Sequence, residues 1–543
     1  MPRGPDPGKP RRPGSTARGR GDTLRAVRPC GASGGLGMAG RGGPTRRAGW
    51  RVLFLLPILV PPLLVSVPPA VRAGEDWARL VEEGAALVRA GRLEEARDRF
   101  AEAVEAAGGT EDPEVRLQRA VALNNLGFAL HRLGRLEEAE RAYREALALR
   151  EAVLGEEDPA VAQVLVNLAE LARARGDLDA AERLHRRALA IREARLGPDH
   201  PDTAQSRIGF AAVAAARGRL GAAREDFREA LATLEKTLGR DHPDTVGVLA
   251  DLAALEAGAG RLEEAERLYR DALARLEGRA ETPADRLVPL LVNLAEVLRR
   301  QGRSEEAVPL LERALASLAD DAPPSPTTVR IRNDLGVNLF EVGEIERAAR
   351  VLERAVADSK SLGDVPADLA VSARANLATV LATAGERDRG LGLLTEAIAI
   401  EEKAGAHPAE LARLWNDHGA LAYDLGRLEE AVEDFARAVE LAERAFGADD
   451  PRLLPYLRNR ATALLAAARP EAAKRLEARI RALEAASSSH RTATAAGGDG
   501  PEPAAGDGSP RVPPAPAPRP AAGPADAAKP ERGSADAARD RGR

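Results

Sequence analysis

A glycine that returns at intervals of 41 to 43 residues is the strongest constraint on this chain. It occurs nine times, at Gly91, Gly134, Gly176, Gly218, Gly260, Gly302, Gly343, Gly385 and Gly426. The residues around it recur as well, in a form seen most clearly between residues 159 and 200. A fixed period of roughly 20 to 50 residues indicates an array whose units bury their apolar faces only against their neighbours. The sequence therefore predicts a solenoid.

Each unit contains two apolar patterns with helical spacing. Between residues 161 and 175, apolar side chains stand three or four positions apart, which defines one face of a first helix. Gly176 follows, and glycine adopts the left-handed conformation of a helix C-terminus without steric cost. A second apolar stripe runs from residue 181 to 191. The predicted fold class is all-α: an α-solenoid of about ten antiparallel helix pairs, nine repeats plus a capping unit, over residues 75–486 with disordered termini.

Three positions in the unit carry small residues. In the first helix they are Gly84, Gly127, Ala169, Ala211, Ala253, Ala295, Gly336, Ala378, Gly419 and Ala461. Early in the second helix they are Ala96, Ala139, Ala181, Ala223, Ala265, Ala307, Ala348, Gly390 and Ala431. Later in the second helix they are Ala103, Ala146, Ala188, Ala230, Ala272, Ala314, Ala355, Ala397 and Ala438. Small side chains let two helix axes approach closely, so these positions are predicted helix contacts.

These columns resemble those of the tetratricopeptide repeat. The 42-residue period and the joints LGPDHPDT (196–203) and LGRDHPDT (238–245) are similar to the kinesin-light-chain type of this repeat. The resemblance covers about residues 75–485. It implies a right-handed superhelix whose first helices line a concave groove, and it implies that proteins or peptides bind in that groove.

One polar column is the predicted binding surface. Nine residues before the periodic glycine, as at Asn167 before Gly176, and at the equivalent place in the capping unit, eight units have Asn or Asp. The next residue in the first helix is leucine in most units. These predicted peptide-binding residues are Asn125, Asn167, Asp251, Asn293, Asp334, Asn376, Asp417 and Asn459. The resemblance implies that the Asn side chain here contacts the backbone of a bound peptide, and an amide suits this because it both donates and accepts hydrogen bonds. The alternative left open is that the column only solvates the groove or bonds locally.

The predicted function is a non-catalytic scaffold that binds extended protein segments. Two alternatives stay open: a structural component of the cell envelope that assembles through the ends of the array, and an accessory subunit of a separate enzyme. No phosphate-binding glycine loop, Gly-x-Ser-x-Gly or His-Glu-x-x-His motif occurs in the sequence. We therefore predict no catalytic residues, no metal site and no cofactor.

Histidines and one tryptophan have structural explanations. His200, His242 and His407 precede a proline where other units have Asp, Thr or Ser, so they are predicted helix N-caps. His185 stands where other units have Phe or Tyr, and Trp415 falls on an aromatic position of the first helix. Both are predicted to pack in the core.

The N-terminal region predicts export. Residues 1–49 are rich in Arg, Gly and Pro, and are predicted to be a basic disordered leader. Residues 52–67 are an apolar run, short for a membrane span and interrupted by prolines, and Val71-Arg72-Ala73 provides small residues for cleavage. Residues 50–73 are therefore predicted to be a signal peptide, with Met38 as an alternative start. An uncleaved membrane anchor is the other interpretation. Both place the array in the periplasm, the envelope or outside the cell.

Charge narrows the class of partner. Residues 1–73 carry a net charge of +11 and residues 487–543 carry +1, so residues 74–486 account for −17 of a chain total of −5. An acidic array is a poor ligand for nucleic acid, which is bound by clustered Lys and Arg. Basic or neutral protein partners are predicted instead. The one cysteine, Cys30, lies in the leader, and residues 487–543 are an Ala/Pro-rich tail predicted to be disordered.

Overall fold

The computed structural model describes residues 75–108, 112–278, 284–318, 324–363, 365–405 and 407–496. The predicted leader, signal peptide and most of the tail lie outside these residues. The described part contains α-helices, one 3-10 helix at Pro451–Leu453 and no strand. The helices are α1 Glu75–Arg89, α2 Leu93–Ala107, α3 Pro113–Arg132, α4 Leu136–Leu154, α5 Pro159–Ala174, α6 Leu178–Leu196, α7 Pro201–Ala216, α8 Leu220–Thr237, α9 Pro243–Gly258, α10 Leu262–Glu277, α11 Ala284–Arg300, α12 Ser304–Ala316, α13 Pro326–Glu341, α14 Ile345–Leu362, α15 Ala367–Thr383, α16 Arg387–Lys403, α17 Pro408–Asp424, α18 Leu428–Phe446, α19 Leu454–Ala466 and α20 Pro470–Ala496. The all-α solenoid prediction is confirmed.

The periodic glycine ends the first helix of each repeat. All nine glycines have positive φ, as Gly176 does at +80°. The amide of Asp177 donates to the carbonyl of Ala172 at 2.9 Å, and that of Gly176 donates to Arg173 at 2.9 Å. This is the pattern that closes a helix C-terminus on a left-handed residue. The chain then turns directly into the second helix, which makes each unit an antiparallel pair.

Capping residues start most first helices. Asp158 accepts a hydrogen bond from the amide of Ala160 at 2.8 Å, just before Pro159 at the first helical position. His200 and His242 do the same through Nδ1, accepting from Asp202 at 3.1 Å and Asp244 at 3.2 Å. Their predicted capping role is confirmed.

His407 occupies the N-cap position of α17, but its side chain does not act as the other two histidines do. It precedes Pro408 in extended backbone but makes no side-chain capping hydrogen bond, so that part of the prediction is wrong. Pro366 also departs from the pattern, because it is itself the cap residue and α15 begins at Ala367.

The small columns lie at the helix contacts. The later alanines of the second helix are all completely buried, from Ala103 to Ala438. In the first helix, a Cβ added to Gly127 would come within 2.8 Å of the ring of Tyr143, and one at Gly84 within 2.5 Å of Phe100. The aromatic side chain of the second helix therefore rests directly on the backbone of its own first helix.

Successive units meet differently on their two sides. Most successive first helices approach one another directly: α1 and α3, α3 and α5, α5 and α7, α9 and α11, α11 and α13, α13 and α15, and α17 and α19. Successive second helices are bridged by ion pairs between long side chains, such as Arg275 to Glu235 at 2.7 Å and Arg389 to Glu353 at 2.8 Å. The shorter spacing of the first helices places them on the inner side of the array.

The final unit differs from the nine before it. Ala468 occupies the place of the glycine and has a φ of +57°, a conformation that costs an L-residue about 1–2 kcal/mol. Arg460 and Glu477 stand half-buried where other units have apolar side chains. The last helix runs to Ala496, ten residues beyond the predicted boundary at 486. None of the described helices is both long enough and apolar enough to span a membrane.

The later alanine column gives a direct test of the register. Ala188 is completely buried and Glu263 is exposed. We expect Ala188→Leu to overpack the helix contact and lower the free energy of unfolding by about 1–3 kcal/mol. Glu263→Ala should change it by less than about 0.5 kcal/mol. Equal shifts of the urea midpoint for the two variants would contradict this register.

Candidate peptide-binding groove

The predicted binding column lies on the inner helices. Its members occur one per unit on α3, α5, α9, α11, α13, α15, α17 and α19. Asp334 is half-buried, and the other seven are more than nine-tenths buried, with Asn125 and Asn376 fully covered. The sequence thus places the column on the inner helices correctly, but most of its side chains lie beneath the surface of the groove.

Three members of the column link successive units. Asn167 donates from Nδ2 to Oδ1 of Asn124 at 2.8 Å. Two further pairs repeat this geometry 43 residues apart, Asn376 with Asn333 at 2.9 Å and Asn459 with Asn416 at 2.9 Å.

The acceptor in each pair is the residue just before the column. That position is Asn only at 124, 333 and 416, and all three bond to the column amide of the next unit. An Asn-Asn or Asn-Asp doublet followed 43 residues after its first member by another Asn is therefore the sequence signal for this link. The single polar column predicted above does not include this second position.

The column is interrupted at Gly209. A Cβ built there would overlap Cε1 of His185, whose ring is completely buried. His185 also lies with Nε2 3.2 Å from Oε1 of Glu170 on α5. The predicted packing role of His185 is confirmed, and its ring explains why the column has no side chain in this unit. Trp415 is half-buried against the core, with the Arg437 guanidinium 4.6 Å from its ring centre.

The acidic members of the column have raised pKa values. Burial raises the pKa of Asp334 to about 7, aided by the nearby charge of Glu296 and opposed by Arg330. Burial also raises the pKa of Asp417 to about 6, although Arg413 donates to its Oδ2 at 3.0 Å. For Asp251, burial raises the pKa well above its ordinary value.

Asp251 has an oxygen open to a further bond. Within the part of the chain that the structure describes, its Oδ2 is buried and has no hydrogen-bond partner. The charges that act on it come from Arg173 and Glu170 on α5, two units earlier. A buried carboxyl oxygen without a hydrogen-bond partner costs about 1–3 kcal/mol, and a bound polar group would remove that cost.

Half-buried charged pairs act electrostatically on acidic members of the column. Arg173 donates to Glu170 at 2.8 Å, and Arg299 donates to Glu296 at 2.8 Å, each three residues apart on its helix. Burial would raise the pKa of Glu170, but its bond to His185 and the charge of Arg173 lower it to about 2. Glu170 therefore remains an anion at the groove surface over the physiological pH range.

Family models place the repeats in one class. The tetratricopeptide repeat model matches residues 118–194, 161–236, 202–278, 287–361 and 410–488, and a second tetratricopeptide repeat model matches 81–152. The chain belongs to the tetratricopeptide repeat family. Proteins of this family generally mediate protein–protein interactions.

Similar solved structures include repeat proteins of the kinesin-light-chain type. BtubC (BKLC) from P. vanneervenii is 23% identical, with a TM-score of 0.37 over 41% of this chain and 90% of that one. A putative kinesin light chain from Podosopora anserina is 25% identical, with a TM-score of 0.34 over 38% and 98%. The apo quorum sensor NprR from B. thuringiensis is 14% identical, with a TM-score of 0.47 over 69% and 99%. No curated protein matches the chain.

The raised pKa of Asp334 makes stability depend on pH. The pKa of this carboxyl is about 3.9 in the unfolded chain and about 7 in the folded chain. The native state binds more protons between these values, so its stability falls as pH rises through this window. Asp334→Asn removes the ionisation, and Asn is the residue found in this column at 293 and 376.

We expect Asp334→Asn to raise the free energy of unfolding at pH 8 by at most about 4 kcal/mol, and the melting temperature with it. Near pH 4 the substitution should have little effect on either quantity. The exposed Asp449 provides the control, because Asp449→Asn should change stability by less than about 0.5 kcal/mol at either pH. A difference between Asp334→Asn and wild type that is the same at pH 4 and pH 8 would contradict the assignment.

Proposed function

We propose that this protein is a non-catalytic scaffold that holds an extended protein segment along the inner helices of its array. The observation that carries the proposal is the polar column, which repeats at one position of each inner helix from α3 to α19 apart from Gly209. A side-chain amide can bond to any peptide backbone, because the backbone offers one donor and one acceptor per residue. A repeating column therefore suits an extended segment with little sequence preference at these contacts.

In this proposal the ligand meets the groove in two layers. The half-buried Glu170, Glu296 and Asp334 are reached first, and the buried amides and Asp251 lie beneath them. The unpartnered Oδ2 of Asp251 supports a polar ligand group in this layer. Glu170, whose pKa is low, and the net acidity of residues 74–486 favour basic or neutral segments.

The proposal includes export. The basic leader followed by the apolar run at 52–67 and the small residues before Gly74 supports a cleaved signal peptide. A secreted form that begins at Gly74 would support cleavage, and a membrane-bound form that retains residues 52–67 would support the anchor.

The binding test needs a probe that does not depend on a known partner. Random twelve-residue peptides displayed on phage would be selected on the purified protein, and the best peptide measured by fluorescence anisotropy. Asn125→Ala together with Asn167→Ala removes two column amides. If each contributes about 0.5–1.5 kcal/mol, the dissociation constant should rise roughly 5- to 150-fold.

Asn124→Ala is the matched control. It removes the same inter-unit bond that Asn167 makes, but it leaves both column amides in place. Binding near wild type in this control, with loss in the double variant, would support direct contact. Equal loss in both would assign the column an architectural role, and normal binding in both would reject the column as a peptide site. Circular dichroism checks that helicity is kept.

Sedimentation separates this function from self-assembly. A scaffold of this type should remain monomeric as its concentration rises. Polymers that grow with concentration would favour the structural alternative.

A further inference from the structure

The ninth repeat carries a buried polar pair where most other repeats are apolar. His418 stands eight residues before Gly426, and Asp434 stands eight residues after it. At the position of His418, other units have Leu126, Leu168, Leu252, Leu294, Leu335 and Leu377. At the position of Asp434, several have leucine: Leu184, Leu268, Leu310 and Leu393. Both polar side chains are buried, 7% and 4% exposed. Such a pair stabilises less than well-packed leucines would, which points to another use.

The pair is held from both sides of the imidazole. Nδ1 of His418 lies 2.7 Å from Oδ2 of Asp434 on α18, and Nε2 lies 3.1 Å from Oγ1 of Thr395 on α16. Gly419 lets the backbone of α17 come close, since a Cβ there would be only 3.1 Å from Cβ of Asp434. Three helices therefore fix the position and plane of this ring.

The hydrogen bond of Thr395 constrains the tautomer. Its hydroxyl donates to the carbonyl of Leu391 at 3.0 Å, which leaves its oxygen able to accept a hydrogen bond from Nε2–H of His418. A neutral ring protonated on Nε2 presents a lone pair at Nδ1, directly facing the carboxylate of Asp434. Two lone pairs at that separation repel unless a shared proton or a metal ion lies between them.

A third side chain that could act as a metal ligand favours a metal ion at this site. Glu430 lies one turn before Asp434 on α18, half-buried, and a carboxylate oxygen from each, with a ring nitrogen of His418, all lie within 4.8 Å of one another. One imidazole nitrogen and two carboxylate oxygens are ligand types that zinc accepts. The bond from Nε2 to Thr395 matches the outer contact that orients a metal-binding histidine.

We propose that His418, Glu430 and Asp434 bind one zinc ion, with Thr395 as the positioning residue for the imidazole. This goes beyond the proposed groove function, since the site is built between the two helices of one unit and from none of the column residues. Glu430 at present faces Arg427, whose Nη1 lies 3.6 Å from Oε2, so binding requires this loose contact to open. The ion would join α17 to α18 and hold the ninth repeat together.

Zinc titration of the full-length, tag-free protein tests the site. Calorimetry should give one saturable site, and zinc should raise the melting temperature. His418→Gln or Asp434→Asn should abolish that saturable site. Thr395→Val keeps the shape of the side chain but cannot accept from Nε2, and it should weaken zinc binding by about 10- to 100-fold.

Two controls keep the test decisive. His185→Gln removes another buried histidine with a carboxylate neighbour but no third donor, and it should leave zinc affinity unchanged. His418→Leu combined with Asp434→Leu restores the residues that other repeats carry, so it should fold at least as stably without zinc and show no zinc-dependent stabilisation. No saturable binding by the wild type, or unchanged binding by the double-leucine variant, would overturn the proposal.

Discussion

The close approach of helices at the small-residue columns is the constraint on which the rest of this structure depends. Every later alanine of the second helix is completely buried, and glycines such as Gly127 lie against an aromatic ring with no space for a Cβ. Interiors at this density tolerate little added volume. Because each unit packs only on its neighbours, the same contact must be made at every step, and a tetratricopeptide array is a sum of such contacts.

Close approach of the inner helices also explains the polar column. When α3 and α5 come this near, Asn124 and Asn167 are within hydrogen-bonding distance across the junction. Buried amides need such partners. Where the preceding position is apolar, as at Ala250, this link to Asn293 of the next unit cannot form. Asp251, whose own counterpart in the preceding unit is the apolar Ile208, has an Oδ2 without a partner among the described residues. The column thus combines links between units with sites that retain hydrogen-bonding capacity, and this combination is the basis of the proposed binding groove.

The period, the helix pairs, the glycine ends and the buried alanines could all be predicted from the sequence, because each depends on residues close in the chain or repeated at one spacing. What could not be predicted depends on side-chain depth and on contacts between units. Asn125 and Asp334 share a column, yet one is fully covered and the other half-buried. His418, Asp434 and Thr395 come from three helices, and only packing brings them together. His407 shows the same limit on a small scale, since a residue suited to capping makes no capping bond.

The inner column links successive units, and a double-mutant cycle on Asn124 and Asn167 measures the strength of that link. Asn124→Ala, Asn167→Ala and the double variant would each be unfolded in urea. We predict a coupling free energy of about 0.5–1.5 kcal/mol between the two positions, the size of one net hydrogen bond. The pair Ala250→Gly and Asn293→Ala, at a junction where the bond cannot form, should be additive within about 0.5 kcal/mol. Additive effects at Asn124 and Asn167 would show that the two side chains do not link their units.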